Sequence, residues 1–244
     1  PGAAAAAADD SSPPAAAGAR EAFAEGLELQ RTGDARAAAS SYRRALELRP
    51  TFWEAAFNLG TVLLEDGRPQ DAAAALTEAA RMAGGERRAR ALQGLATAWS
   101  RLGRFSDAER SLQEAINLSP ADPKPRVSLA RLYRANMSRP SDALRMYREA
   151  IRLDERNAAA WIGLAELRLD RGDTLEAERL LERAVALDPA GGEARLALAQ
   201  LLSQRGETTR AREHLTWVAE HGENPAEALF RLGRMDYGQQ QYRQ

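Results

Sequence analysis

The chain has 244 residues, of which 34 are basic and 35 are acidic, so its formal net charge at pH 7 is −1. A charge this close to zero creates no global field that would recruit nucleic acid or an anionic membrane surface. The absence of cysteine excludes disulfides, thiolate metal sites and cysteine catalysis, and no run of about 18 apolar residues predicts a membrane span.

The N-terminal tract, residues 1–18, consists of Ala, Pro, Ser, Asp and Gly. It contains no large apolar side chain. It cannot bury enough apolar surface to offset its ordering entropy, so we predict a disordered, low-complexity tether. Because the first residue is Pro1 rather than methionine, we expect that either an export or transit segment was removed or the chain was cut. A tether that follows a processed N-terminus favours a location in the bacterial periplasm or envelope. The cytoplasm and an organelle lumen are the alternative locations.

From residue 19 onwards the chain repeats one pattern of small and apolar residues. In its clearest copy, residues 158–191, apolar side chains such as Trp161 and Leu164 recur at three- and four-residue spacing, which predicts two amphipathic helices, A and B. Between them, Gly172 can adopt the positive φ that ends helix A, and Asp173 can cap helix B. The copies begin near residues 19, 53, 89, 123, 158, 192 and 226.

Small residues mark the places where two helices of a repeat must approach closely. In the clearest copy these are Ala165, Ala177 and Ala184. A larger side chain there should force the helices apart and cost roughly 1–3 kcal/mol.

Three copies depart from the pattern. Two extra residues, Arg87 and Arg88, precede the third copy, and we expect a change in stacking there. The turn of the fourth copy gains a residue and lacks glycine, so we expect Asn136 to adopt the positive φ instead. The seventh copy, which begins at Ala226, has only its first helix complete.

The repeat resembles the tetratricopeptide repeat, whose signature runs W, L-G, Y, then A, F, A and P over 34 residues. The resemblance covers about nine-tenths of the chain. It implies an all-α, right-handed α-solenoid of helix-turn-helix repeats, six full and a partial seventh, over residues 19–244. The matching residues of the clearest copy are Trp161, Leu164, Ala165, Gly172, Ala177, Leu181, Ala184, Leu187 and Pro189.

Motifs that carry chemistry are missing from the sequence. It contains no phosphate-binding G-x-x-x-x-G-K-[ST], no G-x-G-x-x-G after a strand and no zinc-binding H-E-x-x-H. The only histidines, His214 and His221, stand seven residues apart without an evident third metal ligand. We therefore predict no enzyme activity, no cofactor, no metal and no nucleic-acid partner.

The resemblance also implies where a partner binds, because the A helices of this family line a concave groove. When the groove positions of the family are transferred to this sequence by repeat position, the predicted groove is apolar at its N-terminal end and basic at its middle. It would bind a protein or peptide with apolar anchors followed by acidic residues, although the same residues could be ordinary solvated surface. The predicted groove residues are Phe23, Leu27, Phe57, Asn58, Thr61, Leu64, Arg90, Arg101, Lys124, Arg131 and Arg134.

Within this groove, we expect Arg131 and Arg134 to face solvent. Reversing both charges should then abolish partner binding and leave the stability of the fold unchanged.

The function that the resemblance favours is a non-catalytic scaffold or adaptor for a protein partner or an assembly intermediate, in bacterial envelope, pilus or secretion assembly. One alternative is the substrate-recruiting region of a larger enzyme, such as a glycosyltransferase. Another is a fixed subunit of a large organellar or photosynthetic complex. The incomplete terminal repeat also allows a homo-oligomer.

Overall fold

A computed structural model describes residues 13–222 and 224–241, and in these ranges it contains thirteen α-helices and no strand. This confirms the predicted all-α helical repeat fold. The helices are α1 (Pro13–Arg31), α2 (Ala35–Leu48), α3 (Trp53–Glu65), α4 (Pro69–Met82), α5 (Gly85–Arg101), α6 (Phe105–Leu118), α7 (Lys124–Asn136), α8 (Pro140–Leu153), α9 (Ala158–Leu169), α10 (Thr174–Leu187), α11 (Gly192–Gln204), α12 (Thr208–His221) and α13 (Ala226–Gln241).

Odd-numbered helices are the A helices of the repeats and even-numbered helices are the B helices. The chain forms two compact units: the first ends at Ala121 and contains α1 to α6, and the second begins at Asp122 and contains α7 to α13. Inside each unit, a B helix packs against both its own A helix and the A helix of the next repeat. One hairpin cannot bury both of its apolar faces, so the neighbouring repeat completes the core.

The turns between helices A and B are encoded by glycine, as the sequence predicts. Five turn glycines have φ between +73° and +86°, a conformation that costs an L side chain free energy. After one of them, the Asp173 carboxylate accepts a hydrogen bond from the backbone N–H of Glu176 at the start of α10. The five are Gly33, Gly67, Gly103, Gly172 and Gly206.

The turn of the fourth repeat differs from the prediction. Ser138, at φ +49°, takes the positive φ there, whereas Asn136 is the last residue of α7. The turn glycines of the other repeats stand at repeat position 15, which is Met137 here, so the inserted residue moves the left-handed position by one residue to Ser138.

The core of each unit contains small residues where the helices meet. Each repeat adds one large side chain at position 24, counted from the first residue of the repeat. Ala165, Ala177 and Ala184 are completely buried, which confirms the predicted close helix packing. The side chains at position 24 are at most 2 % exposed. They are Tyr42, Leu76, Leu112, Tyr147, Leu181 and Leu215, Tyr147 being counted after the inserted residue.

The first helix begins before residue 19, where the sequence predicts the array to start. Helix α1 begins at Pro13, so residues 13–18 belong to a helix and not to a tether. Residues 1–12 lie outside the described part of the chain, and a tether there stays a prediction. The two extra residues before the third repeat lengthen α5 to 17 residues, and α4 and α5 pack directly against each other. Among the described helices, none has the length and apolar character needed to cross a membrane.

Candidate protein-binding faces

The predicted groove residues divide between the two units, eight in the first and three in the second. We call the surface of α1, α3 and α5 that carries Leu27, Phe57 and Arg90 the first A face. The surface of α7, α9 and α11 that carries Arg131 and Glu193 is the second A face. Each face is described within its own unit.

An aromatic ring that contacts two other side chains marks the first A face. Phe57 is half-buried and stacks on Trp53, with ring centroids 5.3 Å apart and an interplanar angle of 13°. The guanidinium carbon of Arg90 lies 5.3 Å from the centroid of the Phe57 ring, within the range of a cation–π interaction. Leu27, at repeat position 9 on α1, is 45 % exposed. This face therefore presents a half-buried aromatic ring beside an exposed arginine, and an exposed leucine on α1.

Two of the predicted groove residues mainly support packing. Phe23 is half-buried, and its ring centroid lies 4.9 Å from that of Phe52 and 5.7 Å from that of Tyr42. Leu64 is only 9 % exposed and belongs to the core of the first unit. Their contribution to an open surface is smaller than that of Leu27.

The polar side chains of the first A face bond to one another or to the backbone. The Tyr42 hydroxyl donates to Oε1 of Gln30 at 2.9 Å, and burial raises its pKa while a hydrogen bond with Asn58 lowers it. The Thr61 hydroxyl donates to the carbonyl of Phe57 at 3.1 Å. The Arg101 guanidinium donates to the carbonyl of Leu64. By contrast, Arg90 has no ion pair among the described residues.

The second A face is not basic where the sequence predicted a basic middle. Arg134 on α7 pairs with Glu166 at 2.7 Å and with Asp170 at 2.6 Å, both on α9. Arg131 on α7 pairs with Glu193 on α11 at 2.7 Å. Two arginines thus face three carboxylates. Lys124 is exposed at the first turn of α7.

The expectation that both arginines face solvent is correct for Arg131 and wrong for Arg134. The side chain of Arg134 is 26 % exposed, and its hydrogen bonds with Asp170 are the main cause of its raised pKa. Burial raises the pKa of the Glu166 carboxyl, and the charges of Arg134 and Arg131 partly oppose that rise. Charge reversal at Arg134 would therefore disturb the fold as well as the surface.

Sequence reasoning missed the acidic partners, although a signal was present. Glu193, Glu166 and Asp170 occupy repeat positions 2, 9 and 13 of the following repeats, which also line the A-helix side. The predicted groove includes apolar, neutral polar and basic residues at such positions but no acidic residue, so the neutralising charges were missing from the prediction.

Neither of the two histidines belongs to a metal site in the described part of the chain. His221 stacks on Trp217, with centroids 5.1 Å apart, and its Nδ1 lies 3.0 Å from the Trp217 carbonyl oxygen. His214 is half-buried, and burial lowers its pKa. In the described part of the chain, no group of three His, Asp or Glu side chains is placed to hold a metal ion.

Several solved structures are similar to this chain. Yeast Tom70 has a TM-score of 0.73 at 21% identity, with 92% of this chain and 47% of that chain covered. A tetratricopeptide repeat protein from Parabacteroides merdae gives 0.65 at 20% identity, covering 91% of this chain and 87% of that one. PilF from Pseudomonas aeruginosa gives 0.63 at 17% identity, covering 91% and 99%. At these identities the likeness is one of fold.

No curated protein sequence matches the chain significantly. A sequence model described as tetratricopeptide repeat matches residues 23–87, 62–123 and 127–192, and a second with the same description matches residues 168–229. These matches cover well over half of the chain and coincide with the helical hairpins. The chain belongs to the tetratricopeptide repeat family.

Proposed function

We propose that this chain is a non-catalytic scaffold that binds a protein partner through the first A face. Repeat arrays of this family present extended surfaces for protein binding. The observation that carries the proposal is the Phe57 ring, which contacts both Trp53 and Arg90 and is partly open to solvent. Aromatic and arginine side chains in such a setting are the usual anchors of protein interfaces.

The chemistry of the first A face indicates the kind of partner. Leu27 and Phe57 offer apolar contact to a partner side chain. Arg90 is exposed and has no carboxylate partner among the described residues, so it is available to an acidic group. We therefore propose a peptide segment with an apolar anchor followed by an acidic residue, bound to α1, α3 and α5.

The setting we propose is assembly at the bacterial envelope, including pilus or secretion assembly. It is supported by the alanine-rich composition of residues 1–12, which is typical of a tether. The solved structure of PilF is similar in fold. Recruitment of substrate to a larger enzyme, a fixed place in a large complex and self-association through α13 are the competing proposals.

A peptide library displayed on phage, selected against the full chain, tests the proposed face. Enriched sequences should share an apolar residue followed by an acidic one. A synthetic peptide of that sequence should lose roughly tenfold or more in affinity with the Phe57→Ala variant, as expected for an interface anchor. The Arg148→Ala variant removes an exposed arginine from α8 in the other unit and should bind like the wild type.

Two results would contradict the proposal. One is a library from which no peptide is enriched. The other is an enriched peptide whose affinity is unchanged in Phe57→Ala, which would place the binding surface elsewhere.

A further inference from the structure

A cavity of about 600 Å³ lies between α8 and α9 in the second unit. We call it the α8–α9 groove. Its apolar lining consists of half-buried side chains from both helices, namely Leu144, Ile151, Trp161 and Leu164. Trp161 and Leu164 stand about 140° and 160° around the axis of α9 from Glu166, which lines the A-helix side. The groove therefore opens on the opposite side of α9 from the second A face.

The lining of the groove offers apolar surface to a ligand. The indole Nε1 of Trp161 donates a hydrogen bond to the carbonyl of Glu155 at 3.0 Å, so the polar atom of this ring is satisfied within the chain. Leu144 and Ile151 are seven residues apart, about two helical turns, and so lie on the same side of α8. An apolar side chain from a partner can pack between these residues and the Trp161 ring.

Three exposed arginines of α8 border this apolar lining. They are Arg145, Arg148 and Arg152, and none of the described residues that line the groove is acidic. Arg145 contacts Asp142 at 3.0 Å, a carboxylate that it shares with Arg139. Arg148 and Arg152 form no ion pair in the described part of the chain. Two guanidinium groups beside the groove are therefore available to an acidic ligand.

The acidic residues of α8 itself are already engaged. Glu149 pairs at 3.5 Å with Arg126 on α7, and the two side chains are mostly buried. Asp142 accepts hydrogen bonds from two arginines, one of them the residue that precedes α8. No carboxylate of this helix is thus left for Arg148 and Arg152.

The first unit has an equivalent groove in which the charges are balanced. A cavity of about 530 Å³ there is lined by residues of α2, α3 and α4. Among them is Arg43 at repeat position 25, the position of Arg148 in the fourth repeat after its inserted residue. The carboxylates of Asp71 and Glu78 also line that cavity, and each pairs with an arginine of the lining. An uncompensated basic border is therefore a property of the α8–α9 groove and not of the repeat.

The arginines at this groove form a row along α8. Arg145 and Arg152 are seven residues apart, which is about 10 Å along the helix axis. A single carboxylate or phosphate group would use only part of this row, whereas carboxylates that recur along a partner helix match it. The row of charges and the apolar lining beside it together fit a helix whose apolar side is flanked by acidic residues.

We propose that the α8–α9 groove binds an acidic amphipathic helix of a partner protein. The apolar side of that helix packs on Trp161 and Leu144, and its carboxylates bind Arg148 and Arg152. Because the first A face belongs to the other unit, the chain then carries two separate binding surfaces, as a scaffold that joins two partners requires.

Fluorine NMR of the full chain, labelled with fluorotryptophan, tests this proposal. The chain has four tryptophans, and the Trp161→Phe variant identifies the signal of Trp161 by its loss. The probe is an alanine-based peptide of about 15 residues, the length at which such a helix begins to form alone, with leucine along one side and glutamate on both flanks. The matched peptide with glutamine in place of glutamate is the control. We expect the Trp161 signal to shift with the glutamate peptide at concentrations where the glutamine peptide has no effect.

Two variants then test the role of the arginines. The double variant Arg148→Ala with Arg152→Ala should weaken binding of the glutamate peptide roughly fivefold, as expected for two exposed ion pairs. Arg43→Ala removes the arginine at the same repeat position in the first unit and should bind the peptide like the wild type. Alanine is favourable in a helix, so these variants should keep the fold, which circular dichroism verifies.

The proposal is overturned if the Trp161 signal stays unchanged with the glutamate peptide, or if both peptides bind equally well. It is also overturned if a different ligand shifts this signal at lower concentration than the peptide does. The ligands to compare are dodecanoate, which represents a single-headed amphiphile, and a single-stranded RNA. A Trp161 signal that moves with protein concentration in the absence of peptide would assign the groove to a second copy of the chain and would overturn the proposal too.

The two binding proposals fail separately. An unchanged Trp161 signal leaves the phage-selected binding at Phe57 unaffected, because the two surfaces belong to different units. Conversely, a phage-selected peptide that loses affinity with Arg148→Ala and not with Phe57→Ala would contradict the first A face and support the α8–α9 groove.

Discussion

Arg134 on α7 holds Asp170 on α9 through two hydrogen bonds, 2.6 Å from Nε to Oδ2 and 3.1 Å from Nη2 to Oδ1. A third bond, 2.7 Å long, joins its Nη1 to Glu166 on the same helix. The guanidinium therefore ties two consecutive A helices of the second unit together. Arg134 therefore stabilises the packing of α7 against α9.

Arg134→Glu should destabilise the protein by about 1–2 kcal/mol, because it places a third carboxylate beside two existing ones in a half-buried position. Arg131→Glu should cost less, since the Arg131–Glu193 pair is more exposed. Thermal melts monitored by circular dichroism, with the exposed Arg148→Glu as a charge-matched control, measure both effects. Equal melting temperatures for Arg134→Glu and the control would refute a structural role for Arg134.

Gly163→Ala should destabilise the second unit by roughly 1–3 kcal/mol, because its new Cβ would overlap the Tyr147 ring. Adding Tyr147→Leu to that variant should recover part of the loss, since leucine is shorter than tyrosine. Urea unfolding of the single and double variants measures this compensation. Gly233→Ala is the control: a Cβ at Gly233 in α13 meets no atom within 4 Å, so it should be neutral or slightly stabilising. A double variant no more stable than Gly163→Ala would contradict the assigned overlap.

Ser138→Gly should stabilise the protein by about 0.5–1 kcal/mol, because Ser138 has φ +49° and glycine adopts a positive φ without steric cost. Ser141→Gly, in the first turn of α8, is the matched control and should destabilise, since glycine weakens a helix. Chemical denaturation distinguishes the two signs. A loss of stability in Ser138→Gly would show that this turn gains nothing from glycine.

Stability should fall at alkaline pH in a way that depends on Tyr147. The folded state raises the pKa of this phenol from 10.0 to about 12, so the folded protein holds the proton more tightly than the unfolded chain does. The resulting stability is fully present below pH 10 and is lost as pH rises towards 12, by up to about 1.4 kcal/mol for each pH unit.

The measurement is the difference in unfolding free energy between wild type and Tyr147→Phe, taken from denaturant melts at a series of pH values. The difference should be constant near neutral pH and should move against the wild type above about pH 10. A difference that is independent of pH throughout would contradict the burial of this hydroxyl.

Much of the fold could be predicted from the sequence because the determinants are local. Gly172 ends its helix since only glycine adopts φ +78° without strain, and Asp173 caps the next helix through a bond to a residue three positions along. Ala165 and Ala177 recur at the period of the repeat, so their packing role follows from spacing alone. Where the local pattern was interrupted, at the inserted turn, the sequence indicated Asn136 and the structure placed the positive φ at Ser138.

The candidate site depended on the tertiary structure. Arg131 and Glu193 are 62 positions apart, and their pairing requires that α7, α9 and α11 lie side by side with side chains long enough to reach across. Likewise, the meeting of Tyr147 with Gly163 depends on how one repeat stacks on the next. Periodicity determined which residues lie on each face of a helix, because that follows from 3.6 residues per turn. Only the packing of separate helices decided which charges are already neutralised and which hydroxyl has no hydrogen-bond partner among the described residues.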